Sequence, residues 1–400
     1  VKRFNIFFII RLLCLILLFF SGINAYAGKS DDSITISLLT CQPHQEVYSL
    51  YGHTAIRYQD KAKGIDLAIN YGMFNFNKPY FILRFIFGLT DYEMGIETFE
   101  DFCLEYSSYG CGVIEQDLNL TSEEKNRISK AIEINALPKN RIYRYNYFYD
   151  NCTTRARDIL INNVYGDIKY DINPDFNPSY REMIHYYNTD HPWARFGNDL
   201  LLGIKSDLKT NYNQQQFLPL NLKKDFDKAV IVNPNGTKRY LVSKTFWVIN
   251  PQTQIIKSEF PLTPTECAII FAIFILTATI FECFYNRNIW LIDCLLLIID
   301  GIAGMILFVM IFSQHPSVSL NFQILLLNPL SLIFSYKVIM QMRKKNIHWW
   351  LKVWIISIMC FLIGGIFQDY ADGMNIVAWS LLFRYCVKIY EYKKLTKYNH

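Results

Sequence analysis

The chain has 400 residues, 52% of them hydrophobic and 16% aromatic, and its 40 Lys and Arg against 35 Asp and Glu leave a formal charge of +5. That length accommodates two or three domains, and the uneven distribution of polar residues excludes one uniform globule: residues 30 to 262 mix charges, rings and turn formers, whereas 263 to 390 are long apolar runs. The small positive excess comes partly from short loops and the carboxyl tail, so it gives no support for nucleic-acid binding.

Val1, Lys2 and Arg3 precede an apolar run from Phe4 to Phe20, and Ala25-Tyr26-Ala27 has the small-x-small form of a cleavage site. These features predict a signal peptide over 1–27. Arg11 inside the run keeps an uncleaved anchor as the alternative, and under either the next segment is exported. Residues 33 to 40 alternate as a strand, and so do Tyr48 to Tyr58, with His53, Ala55 and Arg57 on one face. A turn at Lys61 to Gly64 and a strand from Ile65 to Tyr71 complete a hairpin that carries both His53 and Asn70.

The ring-rich stretch from Phe74 to Phe87 is expected in the core, with lipid contact as the alternative. Thr121-Ser122-Glu123-Glu124 predicts a capped helix to about Ala136, ahead of Pro138. Arg141 to Phe148 alternates as a strand, and Asp150 or Asn151 caps a helix from Cys152 to about Val164. The exported catalytic domain is expected to occupy 28–166. Residues 167–262 read as a helical and loop extension of it, with turns at Asn173-Pro174, Asn177-Pro178, His191-Pro192 and Asn233-Pro234. Short helices are expected there at Met183 to Tyr187 and at Asp199 to Ile204.

A hydrocarbon core takes about 20 apolar residues to cross. About five spans fit between 263 and 390, at roughly 264–284, 289–312, 322–341, 349–367 and 374–390. Arg287, then Arg343, Lys344 and Lys345, then Lys393, Lys394 and Lys397 fall in loops and tail on one side, while His315, Asp369 and Asp372 fall on the other. The positive-inside bias therefore puts the soluble domain outside and the basic tail, 391–400, in the cytoplasm. Asp293 and Asp300 share one face of the second span, as hydrogen-bonding groups of the bundle or as the lining of a lateral opening.

Of ten cysteines, five lie in expected spans and Cys14 in the signal. A Cys103–Cys111 bridge is open to an exported domain, though spacing does not settle the pairing. No CxxC pair or histidine cluster points to zinc, and neither metal nor cofactor is expected.

Chemistry concentrates in two segments, Tyr51-Gly52-His53-Thr54-Ala55-Ile56-Arg57 and Tyr149-Asp150-Asn151-Cys152-Thr153-Thr154-Arg155. Cys152 opens a helix, where unpaired N–H groups and the positive dipole end favour a thiolate, and Arg155 one turn on adds to that field. Alone, such a cysteine is more often a buried apolar residue or half of a bridge to Cys41. Joined to a strand histidine, His53, and a polar neighbour that turns its ring, Asn70, it makes a nucleophile, base and orienter. Asn75, Asp66 and Tyr71 compete with Asn70 for the third place.

This order, a Gly-His strand before an Asn-Cys helix, resembles the circularly permuted papain-like group that includes the lecithin:retinol acyltransferases. Longer stretches are more specific: Ser37-Leu38-Leu39-Thr40-Cys41, Tyr48 to Arg57, Asn70-Tyr71-Gly72-Met73-Phe74 and Tyr145 to Asp158, with His315-Pro316 and Asn328-Pro329 further on. With these the chain is similar over nearly its whole length to the Lnb-type bacterial lipoprotein N-acyltransferases.

The resemblance implies an α+β permuted papain-like domain in the periplasm, followed by an all-α transmembrane bundle in the inner membrane. It implies that Cys152, activated by His53, takes an acyl chain from a phospholipid as a thioester. The chain then passes to the α-amino group of a lipoprotein's amino-terminal diacylglyceryl cysteine. Asn70 would orient His53, with Asn151, Asp150, Arg155 and Tyr71 in support, and His315 would meet a lipid head group or the reacting centre, unless it is only a solvated loop residue. Two other readings use the same residues. A cysteine hydrolase, either phospholipase or amidase, would let water resolve the thioester, and a non-catalytic receptor or assembly factor would keep Cys152 for structure.

Overall fold

The computed structural model describes residues 33–44, 49–74, 79–252 and 260–398. The expected signal over 1–27 and Asn75 lie outside the described residues. Strands β1 (Ile34–Cys41), β2 (His53–Asp60), β3 (Ile65–Met73), β4 (Asp91–Thr98), β5 (Val113–Leu118) and β6 (Ile142–Arg144) belong to one sheet; β7 (Asp167–Lys169), β8 (Val230–Val232) and β9 (Lys238–Tyr240) make a small second one. β10 (Val242–Ile249) returns to the first, giving seven antiparallel strands in the order β10-β5-β1-β2-β3-β4-β6.

The helices of this part are α1 (Phe81–Ile86), α2 (Phe99–Ser108), α3 (Ser122–Ala136), α4 (Cys152–Ile161), α5 (Tyr180–Tyr187), α6 (Pro192–Leu201) and α7 (Pro219–Lys228). Alternation along the strands sends Ile36, Leu38, Ile56, Ile69 and Tyr71 into one core with Ile128 of α3, Leu160 of α4 and Phe226 of α7. The opposite face sends Leu39, Cys41, Ala55, Ala68 and Val113 against Phe102 of α2. β1 is therefore buried on both sides and forms the spine of the domain.

Local chemistry explains where the elements stop. Thr121 and Glu124 form the capping box of α3 as expected. The strand expected from Arg141 to Phe148 is cut to Ile142–Arg144, because Asn146 Oδ1 accepts the N–H groups of Phe148 and Tyr149 at 3.3 Å each. That turn competes with a sheet ladder and leads the chain into Asp150. The stretch Phe74 to Phe87 is expected in the core; residues 75–78 lie outside the described residues, but α1, which most of the rest of it forms, has no buried residue.

Of residues 167–262, those from 167 to 249 are woven into the sheet domain rather than appended to it. β10 pairs along β5, and Leu222, Phe226, Ile231 and Leu241 complete the main core. The expected helix at Met183 to Tyr187 lies inside α5, and the one at Asp199 to Ile204 is replaced by α6 and a 3-10 turn at Ile204–Asp207.

The same region joins the sheet domain to the helical C-terminal part. Gly203 and Ile204 donate to Ser317 O at 2.8 Å and Leu320 O at 2.9 Å, while Gln323 donates to Asp199 O at 2.8 Å and Gln368 to Leu202 O at 3.1 Å. Behind this seam the fully buried Arg181 holds Asp199 and Asp207, each at 2.6 Å. Removing one partner from such a pair leaves an uncompensated buried charge. Arg181→Met is accordingly expected to cost about 3–5 kcal/mol and to lower the thermal midpoint in detergent; an unchanged midpoint contradicts that role.

The C-terminal part is helical: α8 (Pro264–Tyr285), α9 (Trp290–Met310), α10 (Pro329–Arg343), α11 (Trp349–Gly364) and α12 (Met374–Tyr398). Among the described residues three helical stretches are long and apolar enough to cross a membrane: Pro264–Tyr285, Trp290–Met310 and Phe322–Arg343. The last is not one α-helix, as expected for 322–341, but a 3-10 turn at Phe322–Leu325 followed by α10. Asn328 caps Leu330 N at 3.1 Å and Pro329 occupies the first turn, which restarts the helix there. α11 is shorter, at 16 residues. In α12 the buried Arg384 pairs with Asp293 at 2.8 Å, and Lys388 joins the same carboxylate and Glu282. Asp293 is thus a bracing group of the bundle, and Asp300 accepts Asn328 N at 3.3 Å.

Candidate active site

Gly52 sets the start of β2. It turns at φ 76°, and a Cβ there would stand 2.6 Å from Cys41 O, so no other residue fits without moving β1. His53 follows at once. In the β2–β3 register Ala55 faces Asn70, which leaves His53 and Asn70 as diagonal neighbours on one face. His53 Nε2 lies 3.0 Å from Asn70 Oδ1.

Asn70 is itself held from β4, where Glu97 accepts its Nδ2 at 2.5 Å. Because a carboxylate only accepts, that bond turns the amide oxygen toward the imidazole and makes Nε2 the donor. Nδ1 is then the ring atom left for a thiol.

The thiol comes from the other end of the domain. Asn151, at the N-cap of α4, accepts the N–H groups of Thr153 and Thr154 at 3.0 and 2.9 Å and donates to Tyr147 O and Phe217 O, each at 2.9 Å. Thr54 Oγ1 and Thr153 Oγ1 meet at 3.1 Å and bolt β2 to the first turn of α4 across 99 residues of sequence. That bolt sets Cys152 beside His53, at the start of the helix packed on β2.

Burial by itself pushes the Cys152 thiol up. The charge of His53, then its hydrogen bond, then the Thr54 N–H and the Thr153 hydroxyl outweigh it and bring the thiol down to about 7. Burial likewise works to lower His53, but the charge and hydrogen bond of Cys152, with Asn70, leave it raised. Opposite shifts on two neighbouring groups favour the thiolate–imidazolium form over the neutral pair.

The supporting residues divide. Asp150 and Arg155 form a two-pronged ion pair at 2.6 and 2.7 Å, and the guanidinium lies 3.5 Å over the Tyr143 ring. Arg155 therefore braces the loop into α4; its charge is spent on Asp150, and the field at the thiol comes from His53. Tyr71 is buried in the main core on the opposite face from His53 and Asn70, and Asp66 is taken by Arg57 at 2.6 Å. Cys103 and Cys111 are not bridged to each other; the Cys111 thiol points at Pro43 O, 3.4 Å away. His315 packs on α1, 6.4 Å from the Phe85 ring, rather than against the thiol. Burial, then Arg144, lowers its pKa, so it stands as a neutral imidazole.

Two contributors have no local signature. Glu97 reaches Asn70 only through the β3–β4 register. Tyr145 borders Gly72 beside Cys152, and burial, then the Cys152 charge, push its hydroxyl well above its ordinary value, so it stays a donor. Gly72 leaves this side open: a Cβ there would be 3.3 Å from the Tyr145 ring and 3.9 Å from Cys152 Cβ.

Two family models match the chain, the Lnb N-terminal periplasmic domain over residues 26–185 and the Lnb transmembrane domain over 255–395. The chain belongs to the Lnb family. No curated protein and no solved structure matches it. The family points to a membrane enzyme that modifies lipoproteins, with its N-terminal domain in the periplasm. Cys152, His53 and Asn70 all fall within the matched periplasmic domain, and His315 within the matched transmembrane domain.

Proposed function

We propose that this chain is a lipoprotein N-acyltransferase that works through a Cys152 thioester on a permuted papain-like domain. The observation that carries the proposal is the joining of β2 to the start of α4 by Thr54 and Thr153, which sets Cys152 beside His53, with the imidazole turned by Asn70. The thiolate attacks the ester carbonyl of a phospholipid, forming a C–S bond and an oxyanion. The donors to that oxyanion in this scheme are the Tyr145 hydroxyl and the Cys152 N–H at the start of α4, since Asn151 already accepts the N–H groups of Thr153 and Thr154. His53 keeps the thiol proton and gives it to the departing alkoxide, so a lysophospholipid leaves and the thioester remains.

In the second half the α-amine of a diacylglyceryl cysteine attacks the thioester. His53 takes a proton from that amine and returns it to the sulfur as the amide forms. Both substrates are held by the membrane, which accounts for the transmembrane part. We place the enzyme in the bacterial inner membrane, with about five spans and a cytoplasmic carboxyl end. The test is to incubate purified enzyme with phospholipid and a diacylated lipopeptide and to look for the triacylated peptide by mass spectrometry. Free fatty acid without that peptide would make the protein a hydrolase instead.

Glu97 gives a finer expectation. Glu97→Gln keeps a carbonyl that accepts from Asn70, whereas Glu97→Ala frees the amide to flip. Turnover is expected to hold in the first and to fall by about tenfold in the second, and Asn70→Ala to cost on the order of 100-fold, read as kcat with KM little changed. Equal losses in both Glu97 variants contradict the assigned amide orientation.

A further inference from the structure

Aromatic rings run in an unbroken row from the thiol to the membrane side of the domain. Tyr145, which borders Gly72 together with Cys152, stacks on Tyr92 with centroids 4.3 Å apart; Tyr92 meets Phe74 at 5.1 Å, Phe74 meets Phe81 at 6.2 Å, and Phe81 meets Phe85 at 6.4 Å. The last two rings belong to α1. That helix presents apolar side chains outward: Tyr80 just before it is 78% exposed, Ile82 73%, Leu83 54% and Phe85 46%. Its one charge, Arg84, is turned back onto Asp91 of β4 at 2.7 Å, and Arg144 holds the same carboxylate at 3.2 Å.

Where α1 sits is fixed by a second set of contacts. Gln314 N donates to Phe87 O at 2.9 Å, and Arg144 donates to Gly88 O at 3.1 Å and Gln314 Oε1 at 3.0 Å. Gln314 follows the apolar helix α9, which ends at Met310, and the intervening Ile311 and Phe312 are themselves 40% and 64% exposed. The outward side chains of α1 therefore continue the apolar surface of a membrane-crossing helix. An exposed patch of this kind needs a partner, and a short ring-rich helix at the depth where a span ends suits a lipid interface.

We infer that α1 inserts into the outer leaflet and that the row Phe85–Phe81–Phe74–Tyr92–Tyr145 is the surface along which a lipid acyl chain lies when its ester reaches Cys152. The inference rests on the acyltransferase reading for the ester, but the binding surface is tested without chemistry. The row would make long chains better donors than short ones, because a short chain leaves the α1 end empty. His315, packed on Phe85, would then sit beside the chain's entry rather than at the reacting centre.

Two experiments decide it. The Cys152→Ala protein is reconstituted in phosphatidylethanolamine vesicles carrying a diazirine near the end of one acyl chain, irradiated and digested. Label on the peptide that contains α1 and Tyr92 is the expected result; label confined to the transmembrane helices overturns the inference whatever the enzyme's chemistry. The second compares acylation of Cys152 by dioleoyl-phosphatidylethanolamine vesicles and by monomeric dihexanoyl-phosphatidylethanolamine. In an Ile82→Ser, Leu83→Ser double variant the long-to-short ratio is expected to fall by about tenfold, since two apolar anchors are lost. Ile134→Ser, an equally apolar exposed site on α3, leaves the ratio as it was. An unchanged ratio in the double variant refutes the α1 surface, whereas a parent protein acylated by neither donor refutes the function and leaves the cross-link to judge the surface.

Discussion

A Cys152→Ala protein, folded and inserted in the membrane, yields no triacylated lipopeptide. The sulfur is the atom that would carry the acyl group, so its removal deletes the covalent route rather than weakening it, and the expected loss is about 1000-fold or more. Cys152→Ser falls almost as far, because a hydroxyl beside His53 does not ionise as the thiol does. The loss is read twice, as product from purified enzyme and as complementation in cells lacking the protein. A variant that still complements would return Cys152 to a structural role and leave a non-catalytic membrane protein as the better description.

The second large effect is on the thiol's own ionisation. Alkylation of Cys152 by iodoacetamide is expected to follow a titration near pH 7, with reactivity present above that point and lost as pH falls through it, because only the thiolate reacts. In His53→Ala the two largest causes that lower the thiol disappear, and the Thr54 N–H and the Thr153 hydroxyl are left to oppose burial. Reactivity at pH 7 then drops by about 100-fold and the titration moves upward, toward or past the ordinary thiol value. Arg155→Gln is expected to leave the titration in place, since its guanidinium is held by Asp150. If the titration stays near pH 7 without His53, the pair does not activate the sulfur.

The parts of this site that were legible in the sequence are those set by short-range rules. A capping residue before Cys152 marks a helix start, and period-two alternation places His53 and Asn70 on one face of a hairpin. Which polar neighbour orients His53 needed the register, because Asn70 and Asp66 share a face and only the pairing of Ala55 with Asn70 selects between them. Glu97 and Tyr145 were not legible at all. They arrive by strand pairing and by a turn at Asn146 that cuts a strand short.

The misplacement of Phe74 to Phe87 has a different cause. A dense run of rings is what either a core segment or a lipid-facing one looks like, and composition carries no sign of direction. The docking of Gln314 on Phe87 and the outward side chains of α1 supply that direction. The third expected span shows the same limit on a smaller scale. Its apolar length suggested one helix, but Asn328 and Pro329 restart it.

The central claim is that the Cys152 sulfur, paired with His53, becomes an acyl thioester. The most direct measurement is the mass of the enzyme after incubation with phospholipid and no acceptor, followed by mapping of the modified peptide. One acyl chain on the peptide containing Cys152, removed by hydroxylamine and passed to a diacylated lipopeptide when that is added, is the predicted result. An enzyme that makes triacylated product while Cys152 stays unmodified, or that carries its acyl group on another residue, would contradict it.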